Sequence, residues 1–185
     1  MNANPFDAER FSPGAIPWIE AEEGELERWL AKARVPGACH QIVGAHGSGK
    51  STLLVHLARR AGAKGIPVVA FRGSRPAPLQ AMLERGGLVF VDEHAEMSAL
   101  RFACVRAIAK VMGHGLVVST HRDVGFATLT ERNVDVALAS AIVATLVSGH
   151  ERADFAPPPL AELLAAHDAN LREVCFTLYD CWAGR

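Results

Sequence analysis

The sequence predicts an α/β protein built on a parallel sheet, and three stretches carry that expectation. The first is Gly44-Ala45-His46-Gly47-Ser48-Gly49-Lys50-Ser51, which fits Gly-x-x-x-x-Gly-Lys-[Ser/Thr]. It lies between the apolar run Gln41-Ile42-Val43 and a segment, Ser51 to Ala61, with Leu53, Leu54, Leu57 and Ala61 at helical spacing. The second, Leu88-Val89-Phe90-Val91, is an unbroken apolar run of the kind buried on both faces of a parallel sheet, and it ends in Asp92-Glu93. The third, Leu116-Val117-Val118, ends in Ser119-Thr120-His121-Arg122.

Glycines in the first stretch let the backbone curl so that successive N–H groups point at an anion, which makes it a phosphate-binding loop. Gly44, Ala45, His46, Gly47, Ser48 and Gly49 form the cradle. Lys50 reaches the β- and γ-phosphates, Ser51 is left to hold Mg²⁺, and Thr52 completes the binding set as the helix begins. That helix start adds its own free N–H groups and partial positive charge. Ligands bind at the carboxyl edge of open α/β sheets, so Asp92 is delivered to the metal and Glu93 to the attacking water. Thr120 and His121 are candidate sensors of the γ-phosphate; the plainer reading is a strand-end Thr and a surface His.

With 185 residues, half of them apolar, the chain suits one domain with a small appendage. We expect an N-terminal arm and helix over 1–37, a core over 38–148 and a helical, lid-like segment over 149–185. Prolines 5, 13 and 17 keep the arm irregular, with Phe6, Phe11, Ile16 and Trp18 packing on the domain. For Trp18, core packing and contact with a bound base are both open. Glu20 to Arg34 reads as a helix with Leu26, Trp29 and Leu30 on one face and glutamates at its start. Ile66 to Phe71 reads as a strand, and Leu79 to Leu83 as a short helical segment. His94 to Met112 reads as one helix with a stripe of Met97, Leu100, Cys104, Val105, Ile108 and Met112. Its Arg101, Arg106 and Lys110 are solvated charges or contacts to a neighbouring subunit's nucleotide.

Phe126 to Leu129 is a weakly signalled fifth strand. Asp135 to Val147 is so uniformly apolar that we expect a helix hidden on most sides. Gly149 to Pro159 reads as a linker, followed by helices at Leu160 to His167 and from Asn170, which can cap the second. Arg172 sits in that helix's first turn, against the dipole, where phosphate contact is the alternative to a solvated charge.

A net charge of −1 gives no general attraction to nucleic acid or to anionic membrane. The longest uncharged apolar run, Val136 to Gly149, falls short of the ~20 residues that a spanning helix needs. Four cysteines without Cys-x-x-Cys spacing read as small core residues in a reducing compartment, and the N-terminus shows no secretion signal. A cytoplasmic protein is expected, with a protein partner or self-association, and nucleic acid unlikely.

Taken together, these motifs resemble the P-loop ATPases that insert an extra strand and use a catalytic glutamate, the division that includes AAA-type and ABC-type ATPases. The resemblance covers residues 38 to about 130. It implies a three-layer α-β-α fold with a five-stranded, mainly parallel sheet in order 5-1-4-3-2. It also implies ATP and Mg²⁺ as cofactors, Asp92 and Ser51 on the metal, Glu93 on water and a sensor at Thr120. His121 looks like the switch histidine of ABC ATPases, although no Leu-Ser-Gly-Gly-Gln signature occurs. The tail Ala169-Asn170-Leu171-Arg172-Glu173 is similar to the start of the AAA lid helix that carries a sensor arginine, and Arg122 or Arg132 would have to serve as an arginine finger. The chain also resembles small bacterial ATP-binding proteins with a like loop and tail.

The function expected is Mg²⁺-dependent ATP hydrolysis coupled to a partner. Guanine is disfavoured, since no Asn-Lys-x-Asp or Thr-Lys-x-Asp stretch occurs. Two alternatives stand beside it: a P-loop kinase, with Arg72, Arg75 and Arg85 as acceptor contacts, and a non-hydrolysing, ATP-dependent interaction module.

Overall fold

The computed structural model describes residues 4–84, 86–150, 155 and 157–184. Arg85 and part of the linker, 151–154 and 156, lie outside the described residues, as do residues 1–3 and 185 of the two ends. Five strands form one sheet: β1 (Cys39–Gly44), β2 (Val68–Arg72), β3 (Leu88–Asp92), β4 (Gly115–Thr120) and β5 (Ala127–Arg132). Their order is β2-β3-β4-β1-β5, with every pairing parallel, so the expected 5-1-4-3-2 order holds.

The pleat divides the core between the two faces. Ile42, Leu88, Phe90 and Val117 pack against α1 (Glu25–Ala33) and α2 (Lys50–Ala63) through Trp29, Leu30, Leu53 and Leu57. Val89, Val91, Leu116 and Val118 face the other way, against Phe102, Val105 and Ala109 of α3 (Ala99–Met112). A third cluster lies off the sheet. Here Phe6 of the arm, fully buried, meets α4 (Val136–Val147), α5 (Leu160–Ala166) and α6 (Leu171–Ala183) through Val143, Leu146, Leu164, Leu178 and Trp182. Further along, the arm is tied to α2, where His56 Nε2 donates to the Ile16 carbonyl at 2.9 Å.

Several elements depart from their sequence expectation for identifiable reasons. α1 begins at Glu25, not Glu20, because the Glu20 carboxylate accepts from the Gly24 and Leu26 N–H groups and so caps the helix from outside. The helix expected from His94 is broken: a 3₁₀ turn spans His94–Glu96, Met97 is extended, and Ser98 caps α3 by accepting from the Arg101 N–H. The buried stripe of α3 is therefore Phe102, Val105 and Ala109, while Leu100 is 77% exposed and Cys104 lies in solvent. α4 buries one face only, Ala139, Val143 and Leu146, with Val136 exposed. The segment around Leu79 to Leu83 is a 3₁₀ turn at Ala81–Leu83, and β5 runs later than expected. Of the four cysteines, Cys175 is core; burial pushes its thiol up to about 12.

Candidate active site

β1 delivers the loop to the carboxyl edge of the sheet and α2 leaves from it, with Gly49 at the junction. Two glycines are needed for close approach. A Cβ on Gly44 would lie 2.5 Å from both the Ser48 Oγ and the Arg132 carbonyl oxygen. At Gly47, which has φ +70°, a Cβ would stand 1.9 Å from Asn170 Oδ1. Lys50 is only 7% exposed and folds back over the loop, its Nζ donating to the Gly44 carbonyl at 2.7 Å and the Ala45 carbonyl at 2.6 Å. Burial lowers its pKa, with Asp92 and Glu93 pulling the other way. His121 Nδ1 lies 3.4 Å from the same ammonium, and the His121 ring stacks on His46 with centroids 3.8 Å apart. Burial, then the charge of Lys50, holds the His121 pKa below its ordinary value.

Asp92 is the hub of the edge. Its Oδ1 accepts from Ser51 Oγ at 3.0 Å and from Ser119 Oγ at 2.6 Å, and Ser119 Oγ in turn accepts from the Glu93 N–H at 2.8 Å. That last bond holds Glu93 in a left-handed conformation, φ +53°, uncommon for a residue with a side chain. The Glu93 carboxylate is engaged by Arg72, whose Nε donates at 2.8 Å and whose second nitrogen pairs with the same oxygen. This guanidinium holds the Glu93 pKa below the usual carboxylate range.

A cavity of about 340 Å³ opens over the loop. Its sheet-side lining takes in His46 to Thr52, Asp92, Glu93 and His121; the opposite lining comes from Phe11 to Pro13 and Ile16 to Ile19 of the arm and from Leu138, Ile142, Leu171 and Arg172. Of the loop, metal, water and sensor candidates and Arg172, all but Gly44, Ala45 and Thr120 therefore converge on one space. Gly44 and Ala45 meet it through the carbonyls that hold Lys50. Thr120 faces elsewhere: 3% exposed, its Oγ1 unpartnered among the described residues, it lines a neighbouring groove together with Arg122. Trp18 packs on Trp29 at 6.1 Å, as its core reading expects; it also lines the cavity, with the Arg132 guanidinium 4.7 Å above its ring.

Three site features escaped the sequence reading. Ser119, beside Thr120 at the end of β4, is the hydroxyl that joins Asp92 to the Glu93 N–H. Arg72, offered as an acceptor contact, is the partner of Glu93. The signal lay in register: β2 sits beside β3, and Arg72 stands opposite Asp92. The meeting of Asn170 with Gly47 is a contact between distant segments, for which the sequence holds no signal.

Among solved structures, the chain resembles a replication initiator, DnaA, bound to AMPPCP and single-stranded DNA, with TM-score 0.61 and 14% identity over 87% of this chain and 61% of that one. The chain shares its fold with that protein. An AMPPCP-bound DnaA from Aquifex aeolicus matches at TM-score 0.57 and 16% identity, over 85% of this chain and 61% of that one. NtrX from Brucella abortus, solved with ATP, matches at TM-score 0.53 and 15% identity, over 92% and 53%. The chain thus spans about three fifths of these initiators or less of the third protein. One of these neighbours holds single-stranded DNA, so the expectation against nucleic acid draws no support from them. No family model and no curated protein matches the sequence. No helix among the described residues is long and apolar enough to cross a membrane.

Proposed function

We propose that the chain binds ATP with Mg²⁺ in the loop cavity, hydrolyses it, and passes its nucleotide state to a protein partner. The observation that carries this reading is the convergence of Ser51 and Ser119 on one oxygen of Asp92, with Glu93 oriented by the same serine. ATP or its analogue in the structural neighbours supports the choice of ligand.

The donor set fits a magnesium ion. Ser51 hydroxyl and Asp92 carboxylate are hard oxygen ligands already in contact, and Mg²⁺ is commonly held by one or two protein groups together with phosphates and water. Among the described residues no group of three His, Cys, Asp or Glu competes as a metal site. When bound, the ion neutralises charge developing on the phosphate oxygens.

Lys50 exchanges the Gly44 and Ala45 carbonyls for phosphate oxygens, taking over the charge that those dipoles now hold. Glu93 orients the attacking water and takes its proton at a carboxylate oxygen. Arg72 keeps that carboxylate ionised, and it competes with water for the same oxygen, so turnover requires the pair to loosen. Arg172, exposed at the rim, is the cation placed to meet phosphate from the opposite wall.

Mg²⁺-dependent ATP hydrolysis by wild type, Glu93→Gln and Lys50→Ala, with ATP affinity measured on all three, tests the reading. Glu93→Gln is expected to bind ATP with turnover reduced on the order of 10²-fold or more. Lys50→Ala is expected to lose affinity as well. Wild type that binds ATP and does not hydrolyse it, with Glu93→Gln indistinguishable, would leave a binding module instead.

A further inference from the structure

Sharing His46 and His121 with the loop cavity, a second and wider depression of about 1350 Å³ runs between α3 and the β4–β5 connection. Its floor is apolar: Met97, Val124, Phe102 and Phe126, the two rings 5.6 Å apart. One wall is a lane of Ala99, Ala103 and Ala107, four residues apart on α3, low enough for another helix to approach closely. Arg106, Lys110 and Arg122 line it, and no carboxylate does. None of the three pairs with an acid among the described residues, and Arg106 rests over the Phe126 ring at 5.8 Å. Thr120 adds a buried hydroxyl without a partner among the described residues. Beside the lane, exposed Leu100 and Val111 extend the apolar surface of the same helix.

Three unpaired cations around an apolar floor are out of keeping with a chain whose net charge is −1. We infer that this groove docks an acidic amphipathic helix of a protein partner, its carboxylates on Arg106, Lys110 and Arg122 and its apolar edge along the alanine lane beside Val124 and Phe126. A second copy of the chain is disfavoured as the occupant, because most of its acidic segment is already engaged. Glu22 pairs with Arg28, Glu27 with Arg60 and Lys64, and Glu20 caps α1. Single-stranded nucleic acid would suit the cations but not the floor, where Phe102 is 9% exposed and the Arg106 guanidinium already lies over the Phe126 ring. The inference gives chemistry to the partner invoked above and rests on that reading only for what the docking reports.

The test uses the full chain and a fluorescein-labelled peptide of about 15 residues, four turns of helix, with Leu and Phe on one face and Asp and Glu on the other. An Asn/Gln version of the peptide and a labelled single-stranded oligonucleotide of equal charge run beside it, read by fluorescence anisotropy at physiological salt without nucleotide. Binding of the acidic peptide is expected to fall about tenfold or more in the neutral peptide, in Arg106→Glu/Arg122→Glu, and in Ala103→Trp, which blocks the lane without changing charge. Both variants alter exposed positions, and circular dichroism verifies their fold. No binding, equal binding of the neutral peptide, binding indifferent to both variants, or binding of the oligonucleotide alone each overturns the inference. ATP affinity, measured on the same samples, separates the two readings: peptide bound without ATP binding sinks only the proposed function, and ATP bound without peptide sinks only the groove.

Discussion

The two walls of the loop cavity differ in how they are held. On the sheet wall, polar groups are fixed by direct hydrogen bonds of 2.6–3.0 Å, Asp92 to two serines and Lys50 to two carbonyls. Across the cavity, Phe11, Ile16, Leu138, Ile142 and Leu171 present mostly apolar surface, and Asn170 meets the loop at Gly47. Each wall has a core of its own, the first on the sheet and the second joining the arm to α4, α5 and α6. Groups that act on developing charge belong on a wall fixed by hydrogen bonds, where reorganisation is small, and a wall built on a separate core is the one whose closure is worth testing. Substitutions on the sheet wall should therefore change turnover, and those opposite should change affinity and thermal stability.

Ser119→Ala should have the largest effect after Lys50 and Glu93. It removes the 2.6 Å bond to Asp92 and the acceptor that fixes the Glu93 N–H. Hydrogen bonds to charged groups contribute about 1.5–3 kcal/mol, so turnover should fall on the order of 10- to 100-fold with ATP affinity changed far less. A loss confined to KM would break the division between the walls.

Gly47→Ala attacks the seam itself. The left-handed backbone and the clash with Asn170 should cost about 1–3 kcal/mol, read as a lower Tm and weaker ATP binding. Combining it with Asn170→Ala relieves the clash while leaving the backbone strain. Partial recovery in the double variant would show that the walls meet at this point.

Arg72→Ala should act through pH. Arg72 lowers the Glu93 pKa, so its removal moves that pKa back up and shifts the acid limb of kcat/KM to higher pH. The depressed carboxylate stabilises the fold above its unfolded pKa and loses that contribution as pH falls through the folded one. The variant should thus lose stability at neutral pH and none once Glu93 is protonated in both states. An unmoved acid limb would mean that Glu93 is not the titrating base.

How much of this was legible in the sequence follows the range of the interactions. The loop, the apolar run into Asp92-Glu93 and the strand order were readable because a local motif fixes the loop and its strand and helix, and the resemblance supplied the order. The phase of α3 was not, since apolar residues surround that helix and only contact with Val89 and Val91 selects Phe102, Val105 and Ala109. Alanine misled at α4: it raises the apolar count, yet it is as much at ease on an exposed face as in a core. The Arg72–Glu93 pair and the Asn170–Gly47 contact depend on which strands and helices become neighbours, which spacing along the chain does not encode.

The smallest effect separates a hinge from a fixed wall. Asn170 caps α6 by accepting from the Arg172 N–H at 3.2 Å, and the same oxygen faces Gly47. Asn170→Ala should cost about 1 kcal/mol from the lost cap, a few degrees in Tm for a chain of this size. If the α6 wall already stands in its nucleotide-bound position, that loss should be the same with and without ATP. If ATP draws the wall inward through Arg172, the cap is part of what binding organises, and the ATP-induced rise in Tm should shrink as well. Thermal scans of both proteins at one saturating ATP concentration distinguish these outcomes, and an unchanged ATP increment would make the α6 side a second fixed wall.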